Sequence, residues 1–213
     1  VWRLGDGGPR ELAGLAAVEG YDDWESPWGA ADLGSIQVDG DRMIVGVEIG
    51  GVAVSGDAGA SWEARNDGLF EDVHRVVADG DEMYATTGLG PHRSMDGGRT
   101  CTREADGIDR GYTQGLAVVA GWVLVAASSG PPSLWGPAGP EAAIFRAART
   151  AGPLHWRVVL DGFDGNVERQ GLAASGSLVA AASSAGELLV SRDGGGAWSV
   201  HGGLAPAHAV AIA

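Results

Sequence analysis

The sequence predicts an all-β chain, a β-propeller of four-stranded antiparallel blades, and three observations predict it. A box of Ser-x-Asp-x-Gly-x-x-Trp stands at "VSGDAGASW" (Val54–Trp62) and returns at "VSRDGGGAW" (Val190–Trp198). Glycine-centred turns separate short apolar runs at Asp39-Gly40, Asp79-Gly80, Ala120-Gly121 and Ser175-Gly176, an interval of about 40 residues that suits one four-stranded blade. The composition agrees: 37 glycines are spread without a three-residue period, and a hydrophobic fraction of 45% argues against disorder.

In chain order, "VWRLGDGGPREL" resembles the third strand, a shortened box (Asp6, Gly7, Gly8) and the fourth strand of a partial blade, residues 1–15. A long linker with Tyr21, Asp22, Asp23, Trp24, Glu25 and Trp28 leads to the first complete blade, about residues 34–66. Its strands are expected at Gly34–Val38, Arg42–Glu48, Val52–Ser55 and Ser61–Arg65, with the box Ser55, Asp57, Gly59 and Trp62 between the third and fourth. The linker "NDGLFEDV" opens the second blade, about 73–105, whose box is Ser94, Asp96 and Gly98 with Cys101 in the Trp place. The third blade, about 114–160, keeps its strands and Trp156 in "AIFRAARTAGPLHWRVV" but has lost the Ser and Asp, and it carries a Pro/Gly-rich insertion, Ser129–Ala142. The fourth, about 169–201, holds Ser191, Asp193, Gly195 and Trp198. Residues 207–213 read as the first strand of the partial blade, which then lacks its second strand; the expectation is four complete blades plus a partial one in a single domain, truncated at the N-terminus. One blade cannot cover both of its faces alone, so the blades stack around an axis.

The box is read as structural. Its Asp can accept hydrogen bonds from nearby backbone N–H groups in the hairpin, its glycines take left-handed positions, and its Trp buries a ring against the neighbouring blade. It recurs blade after blade, and one blade does without it. A calcium loop wants several alternating oxygen ligands, whereas here one Asp stands among glycines, so no metal site and no cofactor is expected. Cys101, in a Trp position, reads as a buried thiol.

Formal charge is −14, with 28 acidic and 14 basic residues, all of the latter arginine. Such a surface repels phosphate backbones and anionic lipid, so neither nucleic acid nor membrane is an expected partner. The apolar run Leu116–Ala127 is shorter than the roughly 20 residues of a spanning helix and is broken by Ala120-Gly121. A single cysteine forms no internal disulfide, which fits a reducing compartment and favours the cytoplasm.

The box with this spacing resembles the Asp-box, or BNR, repeat family, and most closely its bacterial members labelled sialidase-like or glycosyl hydrolase on the repeat alone; "YDDWESPWG", "VGVEIGGV" and "NDGLFEDVHRV" have that look. The resemblance covers nearly the whole chain. It implies a propeller whose boxes lie on the face away from any catalytic centre, with function on the opposite face, among the linkers and the loops joining second and third strands. That face is expected to present Trp24, Trp28, Glu48, Asp72, His74, Arg75, His92 from a short loop, Arg110, Tyr112, Asp164, Glu168 and Arg169, with Trp135 on an insertion lip. Trp24, Trp28, His74, Arg75, Arg110, Trp135 and Arg169 are the ligand-binding candidates. Glu48, ending an apolar strand near the axis, is a candidate general acid, and Tyr112 and Asp164 complete the catalytic candidates. A sialidase implies an arginine cluster for a carboxylate and a Tyr nucleophile; Arg75, Arg110 and Arg169 form one only if three linkers converge, and the Phe-Arg-Ile-Pro motif is absent. The expected function is a non-catalytic propeller binding or scaffolding a glycan or a protein, the alternative a glycoside hydrolase with its site on the linker face.

Overall fold

The computed structural model describes residues 1–5, 7–26 and 29–212; Asp6 of the shortened box and Trp28 lie outside them. The chain is all-β. A hairpin of β1 (Trp2–Gly5) and β2 (Gly8–Glu11) is followed by four antiparallel four-stranded sheets in chain order. The first comprises β3 (Asp32–Asp39), β4 (Arg42–Glu48), β5 (Gly51–Ser55) and β6 (Glu63–Ala64). The second comprises β7 (Val73–Asp79), β8 (Glu82–Thr87), β9 (Gly90–Ser94) and β10 (Thr102–Arg103). The third is β11 (Tyr112–Val119), β12 (Trp122–Ser128), β13 (Ala143–Ala148) and β14 (Arg157–Asp161), and the fourth β15 (Leu172–Ser175), β16 (Leu178–Ala182), β17 (Leu188–Ser191) and β18 (Ser199–His201).

Each sheet is an up-and-down meander, and the turns explain why. Asp39 pairs with Arg42 and Asp79 with Glu82, so Gly40 and Gly80 fill the first central place of a two-residue turn at φ 58° and 63°. The turn is therefore Gly-Asp, one residue on from the Asp-Gly expected. Its second residue, Asp41 or Asp81, accepts from the neighbouring box hairpin at Ala58 N (2.8 Å) or Gly97 N (2.7 Å). In the fourth sheet Ser177 plays the same part for Gly194 N, at 2.8 Å.

The inner strands pack in sequence, β3 on β7, β7 on β11 and β11 on β15. The middle strands β4, β5, β8, β9, β12 and β13 are buried on both faces, which is why they read as unbroken apolar runs. The core is accordingly a series of layers between sheets. Ile44, Val52, Val73 and Met83 fill one, Tyr84, Leu116, Val125 and Phe145 the next, and Leu124, Ile144, Leu172 and Leu189 a third. A fourth layer packs Leu15 and Val18 against Val45 and Ala53. Burial of a single such Leu or Val is worth about 1.5–3 kcal/mol, so stability is distributed around the arc.

One expectation changes. The described residues after 207 add no strand to the β1–β2 hairpin; Ala209 instead makes a parallel bridge with Gln170 and Val210 N bonds Gln170 O at 3.0 Å, so this segment follows the fourth sheet. The box tryptophans Trp62 and Trp198 pack, half-buried, against the core layers beside them, and each indole N–H donates to its own hairpin at Gly59 O or Gly195 O (3.2 Å).

Candidate functional site

One end of every sheet carries the repeated hairpins and the other the linkers. At the hairpin end, three boxes have the same bonding. The Ser hydroxyl donates to the Asp carboxylate (2.7–2.8 Å) and accepts from the Gly N–H (2.8–2.9 Å) at Ser55, Ser94 and Ser191. The Asp accepts from Ser61, Thr100 or Ala197 as well. These donors hold the carboxyls low: Asp57 falls to about 2, chiefly through the Ser61 hydroxyl, Asp96 to about 2, chiefly through the Thr100 N–H, and Asp193 falls in the same way. Both carboxylate oxygens of Asp57 and Asp96, and Oδ1 of Asp193, are bonded within their own hairpins, so the boxes hold their own turns.

At the linker end, the first three inner strands each contain a bulge in the same place. The register skips Gly34 in β3, His74 in β7 and one position at Gln114–Gly115 in β11. A bulge re-aims side chains at the end of a strand, and here three of them turn polar groups toward the axis. Gly34 is required there: a Cβ would lie 2.7 Å from the Arg169 guanidinium and 3.0 Å from His74 O.

The resulting cluster joins the first sheet to the linker before β15. Arg169 bridges Asp32 (2.8 Å) and Glu48 (3.2 Å). Arg75 donates to Arg169 O at 3.1 Å and to the Gln170 side chain, and Gln170 donates to Gly34 O at 2.8 Å. Burial pushes the Arg75 guanidinium down, and its buried Nε has no hydrogen-bond partner among the described residues. His74 is buried, with Nδ1 2.5 Å from Thr113 O, Nε2 3.3 Å from Asp72, and its ring 4.6 Å from that of Tyr112. Burial, then the charges of Asp72 and Glu48, push the Tyr112 phenol up to about 12.

Of the residues expected on this face, Glu48, Asp72, His74, Arg75, Tyr112 and Arg169 therefore meet. Others stand apart. Arg110 pairs with Asp161 at 3.0 Å near the Phe145 ring, so the three arginines do not converge. Asp164 is exposed and its N–H donates to Glu187, while Glu168 pairs with His208. The Trp135 indole is spent on Gly130 O within its own loop (2.7 Å), which keeps it out of any aromatic patch with Trp24. Trp24 is half-buried, 4.9 Å from the Tyr21 ring and against Gly50. His92 is in β9 rather than a loop; it is buried, and burial pushes its imidazole down. Asp32, Gln114 and Gln170 were not anticipated. The only local hints at the bulges are Gly34 and Gly115, glycines inside strand patterns. Among the described residues no group of three or more His, Cys, Asp or Glu is placed to hold a metal, and no helix is long and apolar enough to cross a membrane.

No protein-family model matches the chain, and no curated protein matches it. Solved structures do. A GH74 enzyme from Niastella koreensis is 16% identical with a TM-score of 0.60, over 79% of this chain and 30% of that one. YCF48 from Cyanidioschyzon merolae is 20% identical with a TM-score of 0.55, over 78% and 54%. A structure of YCF48 bound to D1 peptide is 14% identical with a TM-score of 0.52, over 81% and 53%. This chain thus spans under a third of the GH74 enzyme and about half of YCF48. At these identities the likeness is one of fold, and the fold of this chain is β-propeller-like.

Proposed function

We propose that this chain is an Asp-box propeller acting as a non-catalytic binding or scaffolding module, and that its ligand, a protein or a glycan, docks on the linker face over the axial cluster. The observation that carries this reading is the pairing of Glu48 with Arg169 beside a Tyr112 phenol at about 12. A general acid must give up a proton to its substrate, and Glu48 would first have to leave its guanidinium. Burial keeps the Tyr112 phenol in its neutral form at neutral pH. The cluster instead offers fixed donors and acceptors, which suits recognition. The peptide-bound YCF48 structure, of the same general fold, supports a protein ligand.

Glycoside hydrolysis is the second reading, favoured by the carboxylates Glu48 and Asp72 standing near Tyr112 on one face and by the fold shared with the GH74 enzyme. One experiment separates the two. The folded protein and Glu48→Gln are assayed on aryl glycosides, sialosides and plant β-glucans, and on peptide and glycan arrays. Array binding that Arg169→Ala abolishes, with no turnover, supports the module. Turnover lost in Glu48→Gln makes the protein a hydrolase.

A further inference from the structure

Outward from the axial cluster, the linker face has a concave feature. A cavity of about 290 Å³ opens between the Trp24 loop, the tip joining β4 to β5, and the linker after β6. Its apolar wall is Trp24, Ile49 and Leu69, and its charged wall is Glu19, Asp23 and Glu71. No arginine or histidine lines it, and none of these three carboxylates is in an ion pair with a described residue. Elsewhere on the same face Asp32, Glu48 and Asp161 each meet an arginine.

The walls are fixed before any ligand arrives. Glu25 N donates to Ile49 O at 3.0 Å, tying the Trp24 loop to the tip. Gly50 N and Gly51 N both donate to Glu71 O at 3.1 Å. Asn66 closes the tip from the other side, accepting from Val52 N (2.8 Å) and donating to Gly50 O (3.3 Å). The indole lies directly against Gly50, where a Cβ would come within 2.9 Å of it.

We propose that this cavity receives a cationic side chain, Lys or Arg, presented by a protein partner. An indole face attracts an alkylammonium or guanidinium through its quadrupole, and unpaired carboxylates around a concave apolar wall supply the counter-charge. An anion would be repelled, and a neutral apolar side chain would leave three carboxylates facing it. The inference rests on the binding-module reading only in taking the partner to be a protein.

The test is titration of the isotope-labelled protein with N-acetyl-lysine methylamide, its arginine and norleucine counterparts, and glucosamine, following the Trp24 indole N–H resonance, assigned with Trp24→Phe. The lysine and arginine amides should shift it in a saturable way, and the norleucine amide should not. Asp23→Asn combined with Glu71→Gln, at two exposed side chains, should weaken binding about tenfold while leaving the other indole signals in place, and added salt should weaken the unmodified protein's binding in the same direction. Equal shifts with norleucine, or unchanged affinity in the double variant, would overturn the cation site. A shift with glucosamine alone would overturn a protein side chain as its occupant. None of these results bears on turnover, so failure here is distinct from failure of the non-catalytic reading.

Discussion

Replacing the box serine by alanine is the most direct probe of what the repeated hairpin does. Ser55, Ser94 and Ser191 are buried, 1–2% exposed, and each hydroxyl accepts from a glycine N–H that is itself buried. Alanine leaves that buried N–H without its partner, and an orphaned buried donor costs about 1–3 kcal/mol. The expectation is about 2 kcal/mol for each of Ser55→Ala, Ser94→Ala and Ser191→Ala, measured by urea unfolding followed through tryptophan fluorescence. Because Ser55 and Ser191 belong to different sheets and share no partner, the double variant should lose the sum of the two to within about 0.5 kcal/mol. Binding on the linker face should be unaffected. Losses below about 0.5 kcal/mol at all three sites would refute the assignment of the hydroxyl as the hairpin's central bond.

Four further outcomes follow from the same geometry. Ala58 holds a left-handed φ of 59° where the other boxes have Gly97 and Gly194, so Ala58→Gly should stabilise by about 1 kcal/mol in the same unfolding assay. Gly68 has φ 70° and a Cβ there would lie 2.1 Å from Cys101 O, a backbone atom that cannot yield, so Gly68→Ala should destabilise by about 3 kcal/mol or more. The box carboxyls have folded values below their ordinary one near 3.8, so their contribution is complete above about pH 4 and is lost as pH falls through about 2; the unfolding constant should rise over that window, less steeply in Asp57→Asn. Burial, followed by the charges of Asp96 and Asp67, raises the Cys101 thiol to about 11, so alkylation at pH 8 should be far slower in the folded protein than in urea.

The repeat was legible because it depends on local chemistry. A glycine turn, an apolar run and a Ser-Asp hairpin each act within a few residues, and the structure has four antiparallel four-stranded sheets in chain order. The site was legible only in part. Glu48, His74, Arg75, Tyr112 and Arg169 were grouped on one face from the linkers and strand ends that carry them, and in the structure they lie near one another. Their mutual contacts depend on three bulges, and a bulge is a property of two paired strands that neither sequence displays alone. Arg110 shows the opposite failure: a linker arginine was grouped with others by position, but a nearer carboxylate, Asp161, claims it. His92 was misplaced because "GPHRS" carries the Gly-Pro signature of a loop, whereas Pro91 sits early in β9 and the strand continues through it.

The bond from Gln170 to Gly34 spans 136 residues and the pair Arg169–Glu48 spans 121. Closing a loop of that length costs conformational entropy before any contact rewards it. The contacts between these two distant segments therefore depend on the stacking of the sheets between them. A ligand that grips Arg169 and Glu48 together would then serve as a gauge of the whole assembly. Heat or denaturant that unstacks those sheets should release it.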